Sequence, residues 1–434
     1  MVFFVLWMNR EPMVKRIIPI SSGKGGVGKT SFAVNLALLL SKFGKCILVD
    51  LDTGTSSIRK TIHAPVRRDL YHFFKKNEPL SRCITPLDDR LDPAGVFSRF
   101  GFIASPRHMI ESIVNMDQAA RNHLIDAING LDADFIILDL KAGLDPGVID
   151  FMPHSNTGIL VFTPHHPAAT LAASDIAKAI LFRELRELFH AGSALYQHFP
   201  GVNPCEINQL IDLTEDVYEP EPANLDNFLA LLKARLPRHP FVQILRSIVH
   251  RFRVYYVLNR FDGVDDSYET AVKPLVDNIS RNISAGLKIG NLGWVIESDA
   301  YHKTNMKQVP YIIGGGGPVK VKKKDVVAGH MEALYELAGI RKKPETPQAP
   351  LQATEPPAVE SLLDGQLRAI QGLYAAKSGE SVMQNFDYIV SSLRYLFKNK
   401  RLSEFGTGRL LKKGELVPRL IAQKLRRDAA LRNQ

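Results

Sequence analysis

An α/β fold is predicted, with a mostly parallel sheet carrying helices on both faces, a helical insertion and a small helical C-terminal region. Three observations point to it. Near-continuous apolar runs alternate with helix-period segments, the pattern of strands buried on both faces and joined by crossover helices. Hydrophobic residues make up 45% and charged residues 23% of the 434, enough for a large core and too apolar for a disordered chain. The first strand also leads directly into a glycine-rich loop followed by a helix.

The elements follow in order. Arg16-Ile17-Ile18-Pro19-Ile20-Ser21 reads as a strand, although Pro19 cannot donate to a ladder and is tolerated only where that bond falls near the strand end. Thr30 to Lys42 reads as a buried helix with Ala33, Leu36, Ala37 and Leu40 on one face. Further strands are expected at Cys46–Asp50, Phe135–Asp139, Ile159–Phe162, Val254–Leu258 and Trp294–Ile296. A polar insertion spans 188–252. Its part from Glu206 to Asp226 holds seven acids and no Lys or Arg, and its part from Asn227 to Arg253 holds six basic residues and no acid. It reads as a helical outgrowth with complementary halves, with a partner-docking platform as the alternative.

Pro344, Pro347, Pro350, Pro356 and Pro357 mark a stiff linker over 341–358. Two amphipathic stripes follow, Val359, Leu363, Leu367, Ile370 and Tyr374, then Phe386, Ile389, Val390, Leu393 and Phe397; they are expected to pack on each other or on a second copy. The division is therefore an extension at 1–13, a main domain at 14–340, the linker, and a basic helical region at 359–434. The apolar run Met1 to Met8 is too short for a span of about 20 residues and lacks the flanks of a signal peptide. Met8 and Met13 are alternative starts; otherwise the extension covers a sheet edge. With no longer apolar stretch, a soluble cytoplasmic protein is expected.

The formal charge is +10, and residues 394–434 carry +9 of it. A balanced body with a basic appendage suggests an address that seeks an anionic surface. The three cysteines, Cys46, Cys83 and Cys205, form no C-x-x-C pair, which argues against a cluster site or disulfide framework.

Gly23-Lys24-Gly25-Gly26-Val27-Gly28-Lys29-Thr30 matches G-x-x-x-x-G-K-[ST] between a strand and a helix, the context the motif requires. The glycines let backbone N–H groups converge on phosphate oxygens, and the helix adds its positive end; Ser31 continues the cradle. Lys29 is placed to reach the β/γ-phosphates, and the Thr30 hydroxyl to ligate Mg²⁺. ATP and Mg²⁺ are the cofactors expected.

Lys24, directly after the first glycine, lies outside the ordinary motif. The whole string resembles the deviant phosphate-loop ATPases of the MinD/ParA family. The Asp50-Leu51-Asp52-Thr53-Gly54 and Val161-Phe162-Thr163-Pro164 segments are most similar to the FlhG/FleN–MinD branch. The resemblance covers about 14–340 apart from the insertion. It implies the P-loop NTPase sheet and an ATP-sandwich homodimer in which Lys24 crosses to the partner's nucleotide and neutralises developing charge. By the same resemblance Asp50 helps hold Mg²⁺, Asp52 orients the attacking water, and Phe135 to Asp139 is the Walker B element. Lys141, in Lys141-Ala142-Gly143, departs from the family's usual segment after that acid. Asn259-Arg260 resembles the adenine contact, and Glu297-Ser298-Asp299 and Gln308-Val309-Pro310 resemble loops near the base. Asp117-Gln118-Ala119-Ala120-Arg121 is similar to an activating motif of FlhG proteins, but it is internal here and reads as a surface helix.

Beyond Gly414, Val417, Leu420, Ile421 and Leu425 form an apolar face flanked by Arg419, Arg426 and Arg427, and interrupted by Lys424, Asp428 and Arg432. Such a tail suits an anionic membrane surface at the inner face of the cell membrane, a protein partner, or nucleic acid. The function expected is a slow, Mg²⁺-dependent, partner-stimulated ATPase that dimerises with ATP and positions flagella or the division site. The alternative is a partition ATPase that binds nucleic acid nonspecifically. A metal-cluster carrier is disfavoured by the cysteines, and a tyrosine kinase by the wide separation of Tyr374, Tyr388 and Tyr395.

Overall fold

The computed structural model describes residues 15–54, 57–216, 218, 222–314, 359–375, 381–398 and 405–422. The extension at 1–13, the linker at 341–358 and the tail residues Lys424, Leu425, Arg426, Arg427, Asp428 and Arg432 lie outside the described residues.

The strands are β1 (Arg16–Ser21), β2 (Cys46–Leu51), β3 (Thr85–Pro86), β4 (Phe100–Ile103), β5 (Phe135–Leu140), β6 (Ile159–Phe162), β7 (Arg253–Phe261) and β8 (Lys288–Ile296). They form one eight-stranded sheet in the order β3-β4-β2-β5-β1-β6-β7-β8. All neighbours run parallel except β3, which pairs antiparallel with β4 at the edge. Every residue of β1, β2, β5 and β6 is buried, as their unbroken apolar runs require. The mostly parallel P-loop sheet read from the sequence is the fold observed. β4 was not expected. Gly101 interrupts its short apolar run, and a Cβ there would sit 2.6 Å from the Ile84 side chain, so packing requires the glycine that hides the strand.

Pro19 sits in the middle of a central strand, not near its end. Residues of a parallel strand alternate in the neighbour they bond. Arg16 donates to Asp134 on the β5 side, whereas Ile17 exchanges both backbone bonds with Thr407 on the other side. Pro19 therefore faces the same side as Ile17. β6 pairs with β1 only from Ile20 onward, so the missing N–H falls in the gap between the Thr407 segment and β6. Gly158 fills that gap with positive φ and leaves no room for a side chain against the Pro19 carbonyl.

The longer helices are α1 (Lys29–Ser41), α2 (Gln118–Gly130), α3 (Pro167–Phe189), α4 (Pro204–Glu215), α5 (Leu225–Arg235), α6 (Pro240–Arg251), α7 (Lys273–Asn282), α8 (Val359–Ala375) and α9 (Val382–Lys398). α1 is buried nearly all round. The insertion, α4 to α6, is anchored to the body. Phe241 packs against Phe189, Tyr196 and Phe199, and Ile211, Phe228 and Leu245 are buried. Its acids pair mainly with the body, Asp212 and Glu215 with Arg186 of α3; Arg235–Glu206 joins the two halves.

The C-terminal stripes do not face chiefly each other or a second copy; they lie on the sheet layer. Phe386 of α9 stacks on Phe32 of α1, and Asn385 accepts from the Ile296 N–H. Gln366 of α8 donates to the Ile289 carbonyl and accepts from Tyr256, all buried. Phe405 packs on Tyr255, and Asn156 and Asn129 each exchange two hydrogen bonds with the backbone, at Gly406 and Leu410 respectively. Leu416 and Val417 are buried. The first part of the basic tail is thus a strap across the body rather than a free address. Among the described residues no helix is long and apolar enough to cross a membrane.

Candidate functional site

The register of three central strands builds the site. Asp50 of β2 lies level with Asp139 of β5, and Ile20 of β1 lies level with Asp139. Their carboxyl ends therefore converge where β1 turns into Gly23–Thr30. Gly26 and Gly28 take positive φ of 79° and 84°, which L side chains disfavour. Nothing within 4 Å would meet a Cβ on Gly25 or Gly26, so the loop presents an open backbone face. Gly23 is pressed against Ala172 at the start of α3.

Lys29 is buried and donates to Asp139 Oδ1 at 2.6 Å. The second oxygen, Asp139 Oδ2, is buried with no hydrogen-bond partner among the described residues. Asp50 is fully buried. Its Oδ2 accepts from the Ser105 hydroxyl at 2.9 Å and from the Ile58 N–H, and its Oδ1 from the Asp52 N–H at 3.1 Å. Burial first, then the charge of Asp139, pushes the Asp50 carboxyl up to about 7, against the Ser105 hydrogen bond. Lys29 thus pairs with Asp139, while the neighbouring acid Asp50 is held by hydrogen bonds alone and has no ion pair among the described residues. That deficit of positive charge, the unpartnered oxygen and the hydroxyl of Thr30 fit a hard divalent cation that keeps waters and phosphate oxygens as further ligands. Among the described residues no cluster of three His, Cys, Asp or Glu side chains forms an all-protein metal cage, and this metal does not need one.

Lys24 is exposed and makes no ion pair among the described residues; its carbonyl accepts from the Ser22 hydroxyl at 3.0 Å. Leu144 and Leu171 are exposed at 43% and 46%, and each adjoins in sequence a residue that touches the loop, Gly143 at Ser22 and Ala172 at Gly23. The Gly143 N–H donates to the Ser22 carbonyl, which ties the segment after Asp139 to the loop, and Lys141 pairs with Asp145 at 3.1 Å.

Asn259 is 2% exposed, and its amide donates to the Val27 carbonyl at 2.7 Å beneath the loop. Its Oδ1 is buried with no hydrogen-bond partner among the described residues. Arg260 is exposed, at φ 56°, in an irregular stretch of β7. A non-glycine residue there stores strain, and such strain gathers at ligand sites. Glu297 faces His165 at 3.4 Å, on the same sheet edge as Asp262. Asp117 caps α2 through the Ala120 N–H, so the internal motif is a surface helix start. Sequence reasoning missed Ser105, which follows the unforeseen β4. It also missed Asn35, which joins the Ser31 carbonyl to the Ile312 N–H. A lone Ser or Asn carries no signal of either contact.

A family model described as an AAA domain matches residues 15–181. The chloroplastic septum site-determining protein MinD homologue of Arabidopsis thaliana is 30% identical over 174 residues, covering 37% of this chain and 50% of that protein. The antiactivator FleN of Pseudomonas aeruginosa is 28% identical over 149 residues, covering 34% and 50%. The chain thus spans about half the length of the curated relatives it matches. A structure of MinD from Pyrococcus horikoshii complexed with Mg-ADP shares 16% identity over 68% of this chain and 87% of that one, with a TM-score of 0.40.

Proposed function

We propose, from the premise that residues 15–181 are a P-loop ATPase domain of the MinD/ParA type close to the FleN/MinD branch, that this chain is an ATP-dependent dimerising switch acting as a spatial regulator. ATP lies along the loop, with Thr30, Asp50 and Asp139 on the Mg²⁺ side. When bound, the metal supplies positive charge to the phosphates and relieves the two buried acids. Lys29 then exchanges Asp139 for phosphate oxygens. Asp52, half-buried at the end of β2, is placed to orient water, and Arg260 extends towards the base.

The observation that carries the reading is Lys24, held out to solvent with no ion pair among the described residues while Lys29 is buried. A cation so placed has no work in its own site and suits a partner's phosphate. Exposed Leu144 and Leu171, each next in sequence to a residue that touches the loop, suit burial in a closed dimer. Turnover is slow and stimulated by a protein activator, and the closed dimer engages that partner or an anionic membrane surface. Because 405–422 is docked, a lipid-seeking stripe is confined to residues beyond it. Lys24→Ala is expected to remain monomeric with a non-hydrolysable ATP analogue in light scattering and to lose at least about tenfold in ATPase rate. A variant that dimerises and hydrolyses like wild type removes the sandwich mechanism.

A further inference from the structure

A cavity of about 840 Å³ lies at the amino end of the central strand β1, the end of the sheet opposite the phosphate loop. Arg16, the first residue of β1, lines it. β1 has six residues, so this end is roughly 20 Å from the phosphate loop. The walls come from α6, α3, the Pro153–Ser155 turn and the 406–421 strap.

Two sets of aliphatic residues line it, one from α6 and one from the strap. α6 has two apolar sides. Phe241, Leu245 and Val249 go into the core, while Ile244 and Ile248 line the cavity. The strap contributes Leu411, Leu420 and Ile421, all only partly buried. Among the described residues the ionic groups on the wall are unequal: Arg16, Arg251, Arg409 and Arg419 against the acid Glu184. Arg409 is offset by Glu415, and Arg16 lies over the Phe397 ring at 5.6 Å. Arg251 closes the last turn of α6, Arg419 lies on the strap, and both line the cavity. His154 also lines the space. Its Nδ1 is buried with no hydrogen-bond partner among the described residues, and burial holds the ring neutral.

A pocket of this size falls in the range of small-ligand sites, about 300–1,000 Å³. Aliphatic walls call for a hydrocarbon chain, and an excess of guanidinium forks calls for a planar anion they bind in bidentate fashion. We infer that the groove between α6 and the C-terminal strap binds a long-chain fatty carboxylate, its chain between Ile244, Ile248 and Leu420 and its head at Arg251 and Arg419. The site bridges the insertion and the strap, so its occupant clamps the C-terminal segment to the body.

The test uses full-length protein and oleate below its aggregation concentration, followed by calorimetry and by hydrogen exchange. Saturable one-to-one binding is expected, with protection confined to 240–251 and 406–421. Oleyl alcohol is expected to bind at least tenfold more weakly. Arg251→Ala with Arg419→Ala should weaken oleate at least tenfold and leave the alcohol unchanged, and Ile248→Trp should block both. If Ile248→Trp does not fold, the exchange map of wild type decides the location. Absence of saturation, equal affinity for oleate and the alcohol, protection elsewhere, or tighter binding of oleoyl lysophosphatidate than of oleate overturns the inference. None of these readouts depends on ATP hydrolysis.

Discussion

Asp50 illustrates how a motif residue acquires its properties from neighbours the motif does not contain. Its carboxyl is raised to about 7 by burial and by Asp139 across the register, while Ser105 holds it in place. An unfolded Asp titrates near 4, so between about pH 4 and 7 the native nucleotide-free protein keeps a proton that the unfolded chain has lost. Stability therefore falls as pH rises through that window, at up to about 1.4 kcal/mol per pH unit from this group, and levels above it. Asp50→Asn should remove this fall. Thermal melts without nucleotide or Mg²⁺ should show the variant gaining on wild type from pH 4 to 7; parallel curves would refute it. Arg260 carries the opposite kind of cost. Arg260→Gly should relieve its left-handed backbone and raise melting stability by about 1 kcal/mol, while weakening nucleotide affinity in calorimetry.

The strap at 405–411 holds through side-chain amides rather than through a full ladder. The Asn156 side chain satisfies the Gly406 carbonyl, the Gly406 N–H and the Gly158 N–H at once. Asn156→Ala strands these buried backbone groups, at a cost of about 1–3 kcal/mol for a group left unpaired. Its melting temperature should drop, and amide exchange at 405–411 should quicken. Unchanged exchange there would show that Phe405 and Leu410 suffice. The same strap accounts for Pro19. The strand tolerates a proline because its neighbour on that side changes from the Thr407 segment to β6 where the missing donor would point.

The C-terminal residues complete the layer over the sheet. A chain ending at 393 would lose Leu396, Phe405, Leu410, Leu416 and Val417, all buried. It should melt several degrees lower and bind a hydrophobic dye, whereas removal of a detachable appendage would leave both unchanged. Basic charge in 405–422 thus sits on a docked segment, with Lys412 paired to Asp126 and Arg409 to Glu415. Net charge counted along the chain did not reveal this.

The loop from Gly23 to Ser31, the parallel strands and the acids at their ends were legible because each is a local pattern. Apolar runs of strand length, glycines at fixed offsets and a carboxylate after a buried strand keep their meaning without a partner. Tertiary structure alone decided which carboxylate is raised, that Asn259 is buried beneath the loop, and that residues 405–422 lie folded back on the body. Each depends on contacts between segments far apart in the chain: Asp50 with Asp139 and Ser105, Asn259 with Val27, Gly406 with Asn156. Periodicity and composition record what a segment buries, not what it is buried against.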